Sequence, residues 1–204
     1  MILLLTGMLS CGESSNRTPH TELDEAAAVM SVHPDSALRL LETLSLRRYH
    51  TAEDSARYAL LLTQARDKNF VPQKHDSLIH IAVRYYNAYG TEEQKALAYF
   101  YLASVYRDAR NRTESMKNYL RSLSYIRQGH DLRLQGMIYN NIAFLYYEQN
   151  MYDKADSVYQ KVEEISLEIG DTVMYCENLL QRGKVMMERD ETFYERADSL
   201  FKAV

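Results

Sequence analysis

The segments "YLASVYRD" (101–108) and "NIAFLYYE" (141–148) stand forty residues apart, and at the same interval on either side stand "LLTQARDK" (61–68) and "QRGKVMME" (181–188). A small residue recurs in register at Thr63, Ala103, Ala143 and Gly183. A period of this size constrains the fold more than any local feature. Each unit must be one supersecondary element that cannot bury its apolar face alone and stacks on the next. A second segment follows the first in three units: "SMKNYLRSL", "ADSVYQKVEE" and "ADSLFKAV". These begin with Ser115, Ala155 and Ala197, and a large residue follows four positions later at Tyr119, Tyr159 and Phe201. Small residues spaced in this way from large ones let two helices cross closely, the large side chains filling the gaps beside the crossing. Gly90, Gly129 and Gly170 fall between units, where helices are expected to end. Seven Gly and three Pro in 204 residues are too few for a β-sandwich or a Rossmann-type chain. The expected class is all-α.

These positions resemble the signature of the tetratricopeptide repeat, which has Leu, a small residue and Tyr in its first helix and Ala, an aromatic and Ala in its second. They read Leu102, Ala103, Tyr106, Ser115, Tyr119 and Ser122 in one unit, then Ile142, Ala143, Tyr146, Ala155, Tyr159 and Val162 in the next. Later Arg182 replaces Leu and Met186 replaces Tyr, with two extra residues before Ala197; the earlier unit carries Arg66 and His75 at key places. "DEAAAVMSVHPDSALRLLETL" (24–44) adds an N-terminal pair with Pro34 in the first turn of its second helix. The resemblance covers residue 22 to the end, in units of roughly 22–45, 52–89, 96–129, 136–169 and 176–204. It implies a right-handed α-α superhelical solenoid that binds a peptide or protein in a concave groove. The family's groove positions map onto Arg57, Leu60 and Gln64, then Phe100, Ser104 and Arg107. The following units supply Asn140, Phe144 and Tyr147, then Leu180, Lys184 and Met187. Tyr146 maps onto a core position between helices, and Tyr147, about 100° round the helix, onto the groove. The family's carboxylate clamp is not reproduced, since Phe100, Ser104 and Glu177 replace its Lys and Asn residues and only Asn141 matches.

The first residues carry a different signal. "ILLLTGML" (2–9) is too short to span a bilayer but suits a signal-peptide core, and Ser10, Cys11, Gly12 and the polar "ESSNRTPHTE" follow it. This order resembles a bacterial lipoprotein signal. It implies a signal peptide over 1–10, a lipidated Cys11 opening a flexible tether to residue 21, and a repeat domain over 22–204. The implied location is the cell envelope, with the lipid as the only membrane attachment. With Cys11 lipidated, Cys176 has no partner for an intrachain disulfide and is expected as a buried small apolar residue. The whole resembles tetratricopeptide lipoproteins of Bacteroidetes. An alternative rests on "PDSALRLLETL", which resembles the N-terminal halves of regulatory proteins that continue into a membrane helix and an output domain.

Asp followed by Ser or Thr and an aliphatic residue recurs at Ser36, Ser55, Ser77, Ser157, Thr172 and Ser199. At helix starts such pairs satisfy free N–H groups and complement the dipole. The motif also resembles the O-glycosylation site of exported Bacteroidetes proteins, which makes these six hydroxyls candidate acceptors.

Catalytic chemistry has no support. The chain lacks HExxH, a Gly-rich phosphate loop and GxSxG, and His75 and His80 are five apart, on different helix faces. The adjacent Glu163 and Glu164 fit a solvated face, and no cofactor or metal is expected. A net charge of −4 without a basic block argues against nucleic acid. Seventeen Tyr against five Phe and no Trp imply many half-buried positions where a hydroxyl meets a partner. Val204 is expected to fall inside a second helix, with no polar capping helix after it. Ala197, Leu200 and Phe201 are therefore expected to present an open apolar face, a route to self-association.

Overall fold

Thr51, Thr91, Asp131 and Asp171 stand forty residues apart, and each side chain accepts a hydrogen bond from the backbone N–H three residues on, at 3.0, 3.3, 2.9 and 3.0 Å. Such a bond satisfies one of the free donors at a helix start. At Thr91 the cap is reciprocal, because the Gln94 side chain accepts from the Thr91 N–H at 2.9 Å. In the computed structural model, which describes residues 19–46, 49, 51–126, 131–189 and 194–202, a helix begins directly after each of these caps. They are α3 (Ala52–Lys68), α5 (Glu92–Asp108), α7 (Leu132–Tyr147) and α9 (Thr172–Arg189). The last three start four residues earlier than the unit boundaries read from the sequence, because the caps lie upstream of the apolar pattern. Their partners are α4 (Ile79–Tyr89), α6 (Arg112–Tyr125), α8 (Tyr152–Glu168) and α10 (Tyr194–Lys202). α1 (Pro19–Val29) and α2 (Pro34–Thr43) precede them. Each helix packs on its neighbours in the chain, and α3 also touches α1 and α5. The result is an all-α solenoid of stacked helix pairs. The signal peptide, Cys11 and Gly129 lie outside the described residues.

The same period governs how the first helices end. Phe70, Arg110 and Asn150 all take positive φ, at 55°, 57° and 57°. The next N–H then reaches back to the carbonyl five residues earlier, from Val71 to Arg66, Asn111 to Tyr106 and Met151 to Tyr146, at 2.9, 2.8 and 3.0 Å. Gly170 (φ 67°) ends α8 in the same way. This turn satisfies carbonyls the helix leaves free, but it places three non-glycine residues in the left-handed region.

The crossing points are tightly closed. Thr63, Ala103, Ala143, Ser115 and Ala155 are fully buried, as are Tyr119 and Tyr159 beside them. Ser115 Oγ donates to the Ala103 carbonyl at 2.9 Å, and one turn pair away Ser122 Oγ donates to the Ala96 carbonyl at 2.6 Å. Those two bonds fix α5 and α6 antiparallel and in register. In the last pair a Cβ on Gly183 would lie 2.5 Å from the Phe201 ring, so glycine is what lets α10 approach α9. Three apolar clusters run along the stack rather than one central core. The first joins α1, α2 and α3, the second runs from α3 to α7, and the third joins α7, α8 and α9.

The junction between α8 and α9 is polar. Arg182, which takes the position of Leu102 and Ile142, is buried and donates to Asp156 Oδ1 at 2.8 Å and to a Glu163 carboxylate oxygen. Glu163 is therefore half-buried in an ion triad, not part of a solvated face as its neighbour Glu164 is. Asn178, one turn before Arg182, is buried with neither side-chain polar atom bonded among the described residues. Cys176 is half-buried rather than enclosed. Leu200 and Phe201 are also half-buried, with Phe201 turned onto Gly183. The Ala197 side chain lies outside what is described.

Two stability predictions follow from these features. Arg110→Gly should raise the unfolding free energy by about 1 kcal/mol by relieving left-handed strain. Gly170→Ala should lower it by a similar amount, since its Cβ meets no neighbour and only the backbone is strained. Denaturant melts showing both changes neutral would refute the turn assignment. Arg182→Met should cost about 3 kcal/mol by stranding two carboxylates. The triple change with Asp156→Leu and Glu163→Leu should recover most of that loss in the same melts.

Candidate peptide-binding groove

α3, α5, α7 and α9 each contribute a side chain to one cavity of about 480 Å³. Its polar floor is built around Arg107. The guanidinium donates to Asp67 at 2.8 Å, to Asp108 at 2.9 Å and to Asn141 Oδ1 at 2.8 Å, so it ties three successive first helices together. Tyr119, beneath it, donates to the same Asn141 oxygen at 3.0 Å and meets Ser104 Oγ at 3.1 Å. Burial raises the Asp67 carboxyl above its usual range even with Arg107 beside it. Burial opposes the Arg107 charge, but the neighbouring Tyr119, Asp67 and Asp108 outweigh it and strengthen the cation. Arg107 is thus a structural tie with its donors engaged.

Above that floor the cavity is apolar and open. Phe144 is half-buried, and Phe70, at the left-handed end of α3, is 93 % exposed. Asn140, Gln181 and Lys184 complete the wall without a hydrogen-bond or ion-pair partner among the described residues. Asn140 also lines an adjoining cavity with Arg133, Met137, Val173 and Met174, so the depression continues along α7 and α9.

Of the mapped groove positions, the structure brings Arg107, Asn140, Phe144 and Lys184 to this cavity. Two others are corrected. Phe100 is 1 % exposed, enclosed by Tyr101 and Tyr119 with ring centroids at 5.0 and 5.6 Å, and Ser104 is fully buried against Tyr119. α3 lies directly on α5, and that packing closes the face on which both were expected to be open. Leu60 is buried as well. Arg57 turns to α1 and pairs with Asp24 at 2.6 Å, and Gln64 lies beside the Tyr101 hydroxyl. Leu180 and Met187 are exposed on α9 outside the cavity. Phe70 was missed. Its only signal is the forty-residue register, which sets an aromatic ring where Arg110 and Asn150 stand.

Residues 94–168 match the tetratricopeptide-repeat family model. The match spans α5 to α8, the two pairs whose crossing residues fit the signature best. Among solved structures the chain is similar to one described as the crystal structure of MamA protein, with a TM-score of 0.57 at 15 % identity. The alignment covers 91 % of this chain and 88 % of that one. At that identity the likeness speaks to the fold, and the fold is the tetratricopeptide-type solenoid. No curated protein sequence matches the chain.

Tyr146 and Tyr147 do not divide into core and surface. Both are half-buried. Tyr146 packs against two apolar clusters with Lys154 over its ring at 5.7 Å. The Tyr147 ring lies 6.4 Å from Phe144 and 6.1 Å from Tyr152, and its hydroxyl donates to Glu188 on α9 at 2.6 Å. That carboxylate, with burial second, pushes the Tyr147 phenol up to about 12. Removing the acceptor's charge with Glu188→Gln should bring this ionisation down toward 10, as read by carbon-13 NMR of the tyrosine Cζ. A Tyr147 titration unmoved by the substitution would mean that the bond does not form in solution. Among the candidate glycosylation hydroxyls, Ser77, Ser157, Thr172 and Ser199 are exposed. Ser36 and Ser55 are half-buried; Ser36 accepts from Arg39 and Ser55 donates to the Thr51 carbonyl, both at 2.9 Å.

Proposed function

We propose that the chain is a protein-interaction scaffold that takes an extended segment of a partner along α7 and α9, and that Cys11 anchors it by lipid in the cell envelope. The observation that carries the binding role is the cavity where Phe70 and Phe144 stand beside Asn140, Gln181 and Lys184, which have no partner among the described residues. Exposed aromatic rings supply area that a partner can desolvate, and free amides can bond an extended backbone. The fold supports the same reading, because a stack of helix pairs offers a long continuous surface rather than one closed pocket. The envelope location is supported by the order of apolar run, small residue, Cys and polar tether at the N-terminus. Among the described residues no helix is long and apolar enough to cross a membrane.

One experiment addresses both halves. Expressed in a bacterial host, the native chain should incorporate labelled fatty acid and sediment with membranes, and Cys11→Ala should abolish both. Cross-linked partners recovered from each preparation should fall at least tenfold with Phe144→Ala or Lys184→Ala, whose side chains are not needed for the stack. Equal recovery by native and groove-altered chains would overturn the binding role. Membrane association unchanged in Cys11→Ala would overturn the anchor.

A further inference from the structure

The strict forty-residue register makes each pair a control for the next, and two residues break it at one place. Met151 is the residue before α8, where Asn111 stands before α6. Asn111 accepts from the Glu114 N–H at 3.3 Å; Met151 makes no cap bond and is 41 % exposed. An apolar residue at this position forfeits about 1 kcal/mol of helix stability. Leu120, on α6, is 51 % exposed where its counterpart on α8 is the exposed polar Gln160. What Met151 receives in return is a weak contact from Lys154 Nζ to its sulfur at 3.9 Å. Leu120 and Met151 line the same cleft.

That cleft, about 570 Å³, lies between α6 and the α7–α8 corner, with Met116 and Tyr146 completing its apolar wall. The Tyr106 hydroxyl, forty residues before Tyr146, donates to Asp76 at 2.7 Å, whereas Tyr146 has no such partner among the described residues. Arg112, Lys117 and Lys154 surround the cleft, and among the described residues no acidic side chain lines it. Arg112 and Lys117 hold only solvent-exposed pairs, with Glu148 and Glu114, and Lys154 has no carboxylate partner among the described residues. Exposed pairs of that kind are worth little and exchange readily for a better acceptor. Two methionines give the wall the adaptability of a surface that repacks around its ligand.

We propose that this cleft is a second docking surface, separate from the groove, for an acidic segment of a partner protein that inserts aliphatic side chains between Leu120 and Met151. The residues that the repeat itself uses elsewhere supply a test that spares the fold. Leu120→Gln with Met151→Asn should keep or raise the melting temperature, since Asn restores a cap. The probe is a short fluorescein-labelled peptide with leucines at i and i+4 among glutamates, read by fluorescence anisotropy on the full chain. The native chain should bind it, more weakly as salt rises. The double variant should lose at least tenfold in affinity, as should a peptide with Gln for Glu, while Phe144→Ala changes nothing. Failure of the native chain to bind, equal affinity in the double variant, or loss of binding in Phe144→Ala would overturn the proposal. So would self-association of the native chain that the double variant abolishes, because the cleft would then belong to a second copy of this chain.

Discussion

Everything in this molecule depends on how closely the two helices of a pair can cross. The helix spacing is set where Thr63, Ala103, Ala143 and Gly183 meet the helix that follows; the first three are fully buried, and a Cβ on Gly183 would meet the Phe201 ring. Close crossing brings the neighbouring aromatic, Tyr119 or Tyr159, fully inside, and a buried tyrosine must then find a partner for its hydroxyl. Tyr119 finds Asn141 on the next first helix, and Asn141 in turn receives Arg107. A packing constraint inside one pair is thereby converted into a polar link between pairs. The floor of the candidate groove is a by-product of that link.

The period of forty was legible because it is written in residue size, and size is conserved by packing in every unit. The crossing residues, the glycine ends at Gly90 and Gly170 and the Pro34 start of α2 could all be placed from the sequence. Helix starts were less legible. Thr91, Asp131 and Asp171 are ordinary polar residues until their side chains are seen to accept the N–H three positions on, so the first helices begin a turn before the apolar pattern does. The groove was the least legible part. Phe100 and Ser104 fit the inner-face positions by number, but inner-face exposure depends on how closely the preceding helix lies. Here α3 sits on α5 and closes that stretch. No pattern within α5 records that distance.

Arg182 carries a related lesson about substitution within a repeat. In two units an aliphatic residue fills this position and simply joins the apolar core. An arginine there can be buried only if carboxylates come with it, and Asp156 and Glu163 do so from the preceding pair. Buried ion pairs of this kind contribute little net stability compared with apolar packing, but they accept only one register. The junction most distant from the family pattern is therefore held by direction more than by area.

Departures from the repeat differ in what compensates them, and that difference separates structural from functional readings. Arg182 is matched by two carboxylates and needs nothing from outside the chain. Phe70 is not matched. A bulky ring is held in the left-handed region, where glycine or asparagine would be easier, and nearly all of it faces solvent. Met151 gives up a cap, and its exposed side chain gains only a 3.9 Å contact from Lys154 Nζ to the sulfur. Where a local rule is broken and the chain itself offers little in return, the break marks a candidate functional or strained site. Phe70 and Met151 lie at the same turn two units apart, offset by one residue, yet they border different cavities. The turn after a first helix is thus the place where this solenoid varies one residue at a time, because strain there is local and the stack on either side is untouched.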